Sequence, residues 1–431
     1  MHMRSSSMRR SVALVILLAS TTCHPAGLRE PESARDRAAA ERASAIPAPR
    51  DAPALAVARD SLAWLVDTIV IRRPDYRLLV HALSRYRGLA ADSTIPAFPT
   101  PAALPVRPGD TFAAVPELRV RLLALGDLDT AGGSDTGSVY AGPVVDAVRR
   151  FQRRHGLEDD GIIGRETLAQ LQTPLAVRVR EIERSLEQIR HEPPMDSGPF
   201  IVVNVPAFQL FAFDGTGEDT AAALVMKVIV GRADRMSTPV LVEQLRYLDF
   251  WPEWNVPRSI LVREIIPKLG GDPSYLRRQD MEMVGAGDVV VGDTVRPSVI
   301  EALRAGALRV RQRRGPANPL GRVKFVIPND SNIYLHDTPF GELFERSRRD
   351  FSHGCIRVER ARDLAIWVMR DGTGWNADSV DAAMETPVFR RVMIPHPMRV
   401  IVEYNTAMAT AGGVVWFVPD IYGRDRDTIN R

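Results

Sequence analysis

One cysteine and two histidines share the stretch Tyr334–Val358, YLHDTPFGELFERSRRDFSHGCIRV. Cys355 is one of two cysteines in the 431-residue chain, and His336 and His353 are two of its eight histidines. A thiolate attacks acyl carbons well, provided that a base takes its proton. His336 lies 19 positions upstream, at the end of a strand-like run, and His353 two positions upstream. The Ser352-His353-Gly354-Cys355 turn can present backbone N–H groups to an oxyanion, because Gly354 has no Cβ to hold the chain off. Arg357 can hold a carboxylate or order the turn. The residues alone also allow a buried, inert cysteine or a His353 that only supports the turn. A zinc site is a third alternative, but one cysteine at this irregular spacing matches no usual ligand set.

The other cysteine, Cys23, closes an N-terminal stretch, MHMRSSSMRRSVALVILLASTTCHPAG. Arg4, Arg9 and Arg10 precede a short apolar run, Val12 to Ala19. That is the pattern of a secretory signal, too short to span a membrane comfortably. Cys23 sits where a bacterial lipoprotein carries its lipidated cysteine, yet Ser20-Thr21-Thr22 fits that processing box poorly. A lipid anchor and a plain cleaved signal therefore remain the two alternatives. The expected location is the periplasm or cell envelope. Cys355 then has no disulfide partner in the mature chain, and an unpaired thiol in an oxidising compartment is either buried and inert or chemically employed.

The elements that must position these residues follow from pattern. Apolar content of 45% and charged content of 25% are those of a globular protein. Net charge is +3, and acids are interspersed with the arginines, without the segregated basic face of a nucleic-acid binder. Residues 24–56 have linker composition. Helical patterns cover 57–71 and 76–89, where Tyr76, Leu79, Leu83 and Tyr86 share a face. A Pro-rich connector spans 95–110. Residues 116–172 read as three short helices, with Val144, Val148, Phe151 and His155 on one face and Gly126 and Gly156 as stops. Residues 174–192 form a strong amphipathic helix. From about 199 the period becomes that of strands, interrupted at 255–320 by helical and Gly-rich stretches. Strands resume at VKFVIP and NIYLHD, a helix follows Cys355, and strands close the chain. The fold class is α+β.

Two motifs carry resemblances. AVRRFQRRHGLEDDGIIGRETLAQL resembles the peptidoglycan-binding helical module of bacterial wall enzymes, although the proline common before its Asp-Gly turn is missing. His336, fifteen residues, then Ser-His-Gly-Cys-Ile-Arg-Val resembles the signature of the L,D-transpeptidase family. Some members have Asn two residues after the cysteine. Arg357 and the HDTP around His336 are similar to a larger subfamily with a scaffold, an inserted peptidoglycan-binding module and a capped catalytic domain. IVVNVPAFQLF, WPEWNVPRSI, LGRVKFVIPN and DIYGRD agree with that pattern. The resemblance implies this division: a signal at 1–23, a linker at 24–56, a helical scaffold at 57–112 continued by 174–198, and a peptidoglycan-binding module at 113–173. A β-rich catalytic domain follows at 199–403, with a helical capping insertion at 255–320, and C-terminal strands at 404–431.

The resemblance also implies roles. Cys355 is the nucleophile and His336 the base, oriented by the backbone carbonyl of Asp337. Gly354 and Cys355 N–H groups, with His353, face the oxyanion. Arg357 and Ser352 bind substrate, and Tyr334 lines the pocket. Trp251 and Trp254 flank the entry to a lid. No cofactor or metal is implied. The implied partners are peptidoglycan stem peptides and cell-wall synthesis proteins, with no nucleic acid and membrane contact only through an N-terminal anchor. The expected activity is 3–3 cross-linking through an acyl-enzyme. An L,D-carboxypeptidase, an envelope-protein attachment enzyme and a non-catalytic wall-binding scaffold are the alternatives.

Overall fold

The computed structural model describes residues 73–425 apart from 130–136, 194–197, 216–220, 234–235, 373 and 411. The expected signal with Cys23, the linker and the first scaffold helix lie outside the described residues.

Helices come first: α1 (Pro74–Ala91), α2 (Val115–Leu125), α3 (Pro143–Arg154), α4 (Arg165–Gln172) and α5 (Leu175–Arg190). In α1, Tyr76, Leu79, Ala82 and Tyr86 are buried, at the three-to-four spacing that gives a helix one apolar face. Leu83 is only partly buried. Helix α2 ends at Gly126 (φ +83°) and α3 just before Gly156 (φ +65°), left-handed positions that glycine adopts without a Cβ penalty. Val144, Val148, Phe151 and His155 do share a buried face, where the Phe151 and His155 rings stack at 3.8 Å. Truncating a fully buried aromatic such as Phe151 to Ala costs about 3–5 kcal/mol.

The scaffold helices and the three-helix module share one apolar core. That core is finished by two C-terminal strands, β14 (Ala407–Ala409) and β15 (Val415–Phe417). Phe417 packs edge-on against Tyr86 at 5.1 Å. The alternating pattern of 404–431 indicates strands but not this helical partner.

The strands of the half beginning near residue 199 are β1 (Phe200–Asn204), β2 (Gln209–Phe213), β3 (Leu224–Gly231), β4 (Leu241–Phe250), β9 (Val323–Val326), β10 (Leu335–His336), β11 (Asp350–Ser352), β12 (Ile356–Val358) and β13 (Arg390–Glu403). They form one sheet in the order β11-β3-β12-β10-β9-β4-β13-β1-β2, and β2 pairs back with β3, so the sheet closes on itself. Alternation decides the faces. Ile201 and Val203 of β1 enter the main core, whereas Phe200 and Val202 join Phe213 and Ile401 in a smaller outer cluster. Helices α6 (Ala361–Met369) and α7 (Ala377–Glu385) pack on the main core through Leu364, Ala365, Val368 and Val380.

The insertion carries the expected helical segments, at 258–271, Tyr275–Arg278 and Pro297–Ala305. It also carries a four-stranded antiparallel sheet that the helical reading lacked. Its strands are β5 (Trp254–Asn255), β6 (Met281–Val284), β7 (Val290–Gly292) and β8 (Arg309–Gln312), in the order β5-β8-β6-β7. These strands are too short, and too interrupted by glycine, to show a clear two-residue period. Leu269, Leu276, Met283 and Leu303 give the insertion a core of its own.

Candidate active site

Strands β10 and β12 are parallel neighbours, with Leu335 opposite Ile356 and His336 opposite Arg357. Leu335 and Ile356 are fully buried in the barrel core. Alternation therefore turns Tyr334, His336, Cys355 and Arg357 to the other face. The Ile356 N–H donates to the Tyr334 carbonyl at 3.0 Å, which pins Tyr334 beside the cysteine.

The turn before Cys355 is held from within and from outside. Gly354 sits at φ +116°, a conformation that favours glycine. The Ser352 hydroxyl donates to the Cys355 carbonyl at 2.5 Å and accepts the Gly354 N–H at 3.1 Å. The fully buried Thr238 hydroxyl donates to the Gly354 carbonyl at 2.8 Å and accepts the Gly231 N–H at 2.9 Å. Tyr422, in the closing DIYGRD segment, donates its hydroxyl to the Gly231 carbonyl at 2.5 Å and accepts the Thr238 N–H at 3.2 Å. Gly231 has no room for a side chain, because a Cβ there would meet the Met236 carbonyl and lie 2.9 Å from Gly354 Cα.

Three expected roles change on this geometry. Ser352 is buried and spends its hydroxyl on the turn, so it builds the hairpin and does not face substrate. The Gly354 N–H already has an acceptor in Ser352 Oγ and is not free for an oxyanion. The Cys355 N–H forms no hydrogen bond among the described residues. His353 engages the insertion through its Nε2, which lies 2.5 Å from Glu264 Oε1.

The thiol and imidazole are both held toward their neutral forms. Burial pushes the Cys355 thiol above its ordinary value, opposed by Tyr334 (backbone and hydroxyl), Lys324 and Arg357. The thiol donates to the Asn332 carbonyl at 3.7 Å, and Asn332 itself stands at φ +53°. His336 is pushed down to about 3, first by burial and then by Arg357 and Lys324, while the Asp337 and Pro319 carbonyls pull the other way. Its Nδ1 lies 2.6 Å from the Asp337 carbonyl oxygen, which requires that Nδ1 carry the proton.

A charged row crosses five strands here. Arg391 stands opposite Asp249, Asp249 opposite Lys324, Lys324 opposite His336, and His336 opposite Arg357. Lys324, unnoticed in the sequence, lies with its Nζ 3.8 Å from the Tyr334 ring centroid. Thr238, Asn332, Glu264 and Lys324 were missed because they reach the site across strands and loops, where no local spacing signals them.

A half-buried thiol, a neutral histidine oriented by a backbone carbonyl and a glycine-permitted turn thus lie together on one face of a closed sheet. Residues 198–390 match the family model of the YkuD L,D-transpeptidase catalytic domain, and residues 113–171 match that of a "Putative peptidoglycan binding domain". Two regions of the chain are thus similar to known families, one to the YkuD L,D-transpeptidase catalytic domain and one to a peptidoglycan-binding domain. A curated relative from Haemophilus influenzae, described as a "Putative L,D-transpeptidase", is 31% identical over 248 residues, 57% of this chain and 48% of its own length. The chain thus spans about half the length of that relative. Two solved structures also align. One is an L,D-transpeptidase from Xylanimonas cellulosilytica, 16% identical over 71% of this chain and 100% of its own, with a TM-score of 0.21. The other is a fused Zn-dependent amidase/peptidase/peptidoglycan-binding domain-containing protein from Clostridium acetobutylicum, 12% identical over 70% of this chain and 100% of its own, with a TM-score of 0.20.

Proposed function

We propose that this chain is an exported enzyme that forms 3–3 cross-links in peptidoglycan through a Cys355 acyl-enzyme. The observation that carries the reading is the Cys355 thiol on the same sheet face as a neutral His336 whose Nδ1 is committed to the Asp337 carbonyl. Nε2 then holds the lone pair and takes the thiol proton. The thiolate attacks the carbonyl of the third residue of a donor stem peptide, and the Cys355 N–H stabilises the oxyanion. The C–N bond to the fourth residue breaks, and His336 returns the proton to the leaving amine. An acceptor amine then attacks the thioester, His336 removes its proton, and the thiolate departs. The peptidoglycan-binding domain match supports a wall polymer as substrate. The signal-like N-terminus supports export, with or without a lipid on Cys23.

The test is mass spectrometry of muropeptides after the purified chain meets disaccharide-tetrapeptide. A dimer lacking one terminal D-residue, absent with Cys355→Ala, is the expected result. Tripeptide monomer alone would mean that water is the acceptor and the enzyme a carboxypeptidase. Full cross-linking by Cys355→Ala would overturn the mechanism.

A further inference from the structure

We propose that Lys324 and Arg357 form a subsite for a free carboxylate of the donor peptide, next to the bond that is cut. This rests on the transpeptidase reading above and adds what the donor site recognises.

The two cations flank His336, one on each neighbouring strand, in register with it. Two strand spacings separate their Cα atoms, roughly 10 Å, which two long side chains can close around a single carboxylate. Among the described residues neither forms an ion pair. Lys324 places its Nζ 3.8 Å from the Tyr334 ring centroid, and the buried Arg357 Nε has no hydrogen-bond partner. The nearest acid in the row, Asp249, is already held in a two-pronged pair by Arg391 at 2.7 and 3.0 Å.

Buried cations elsewhere among the described residues have oxygen partners: Arg154 is forked onto Asp127, Arg73 meets three carboxylates, and Arg121 and Arg349 are bonded to backbone carbonyls. Desolvated cations are costly unless paired. Two of them left together beside a nucleophile therefore call for an anion from outside. A bound carboxylate would also offset the two charges that depress the basicity of His336, so the base would strengthen when the donor arrives.

Two carboxylates of a stem peptide could fill the subsite: the C-terminal one on the leaving residue, or one on the third residue's side chain. Binding to the Cys355→Ala chain, measured by calorimetry, reads recognition without turnover. Three disaccharide-tetrapeptides are compared: the free acid, the C-terminal amide, and a form amidated at the third side chain. Lys324→Met should weaken binding of the free acid at least tenfold, and Lys324→Arg should restore it to within about threefold. The amide on which Lys324→Met has no further effect identifies the carboxylate. Lys324→Met losing the same factor on all three peptides would overturn the proposal, as would an unchanged affinity or no binding of any peptide by the Lys324-containing chain. Turnover of the free acid by the unsubstituted chain is scored separately and decides the enzymatic reading itself.

Discussion

Two charged clusters in this molecule are built in opposite ways. On the barrel face, Lys324 and Arg357 stand beside His336 with no carboxylate bound among the described residues. At the foot of α1, Arg73 is buried with too many acids: Asp75 at 2.5 Å, Glu192 at 2.6 Å and Glu403 at 2.9 Å. One cation cannot balance three carboxylates. Burial pushes Glu403 up to about 7 and raises Glu192, although Arg73 lowers both. The acid-rich cluster ties α1 and the end of α5 to strand β13 and can balance itself by holding a proton. The cation-rich one keeps at least the charge of Arg357, because arginine does not give up its proton, although burial lowers the Lys324 pKa. Excess negative charge here reads as structure, whereas the proposal above gives the excess positive charge a part in binding substrate.

The comparison breaks most sharply at Arg73. Arg73→Met would leave the buried Glu403, and the partly buried Asp75 and Glu192 beside it, without their main counter-charge and cost about 3–5 kcal/mol at pH 8. The loss should shrink at pH 5, where the acids can protonate, and denaturant unfolding at the two pH values checks it. Glu403 sharpens the same point. Its folded pKa of about 7 lies above its ordinary value of 4.5. The folded state thus holds the proton more tightly, and stability falls as pH rises from about 4.5 through 7. Glu403→Gln should flatten that slope in the same unfolding series.

On the barrel face the effect is on reactivity. Lys324 lowers the thiol pKa of Cys355, so Lys324→Met should raise it. Alkylation of Cys355 by iodoacetamide at pH 8 should slow roughly threefold, because only the thiolate reacts. A rate profile unmoved along the pH axis would show that Lys324 does not sense the thiol. The smallest effect belongs to the contact between His353 and Glu264, whose side chains are 31% and 35% exposed. A pair that open to water is worth about 0.5 kcal/mol. Glu264→Ala should speed hydrogen exchange of the 261–265 turn by about twofold, and no change would mean that the insertion is held elsewhere.

What could be read from the sequence was local. The nucleophile hairpin shows itself because Ser352, His353, Gly354 and Cys355 are contiguous, and the strand before His336 because Leu335 alternates with its neighbours. The amphipathic helices announce themselves by their three-to-four spacing. The remainder depends on chain segments far apart in sequence. Lys324, His336 and Arg357 become neighbours only when β9, β10 and β12 pair. The resemblance gives Ser352 to substrate, and only the fold reveals that the turn consumes its hydroxyl. Thr238 and Tyr422 sit 117 and 67 positions from Cys355, with no pattern linking them to it.

The strand pair β14–β15 has a consequence for how the chain is made. A ribosome finishes α1 through α5 well before it reaches Phe417, the residue that packs against Tyr86 and near His155. At ordinary synthesis rates the interval is roughly 10–45 s. During it the helices have an apolar core with one wall missing, and a holding chaperone would find a target there. The wall arrives only after the whole barrel has been synthesised. The half that matches a polymer-binding domain and the half that carries the cysteine therefore reach maturity together, and a chain cut short before residue 407 would complete neither its helical core nor the Tyr422 tether on the nucleophile turn.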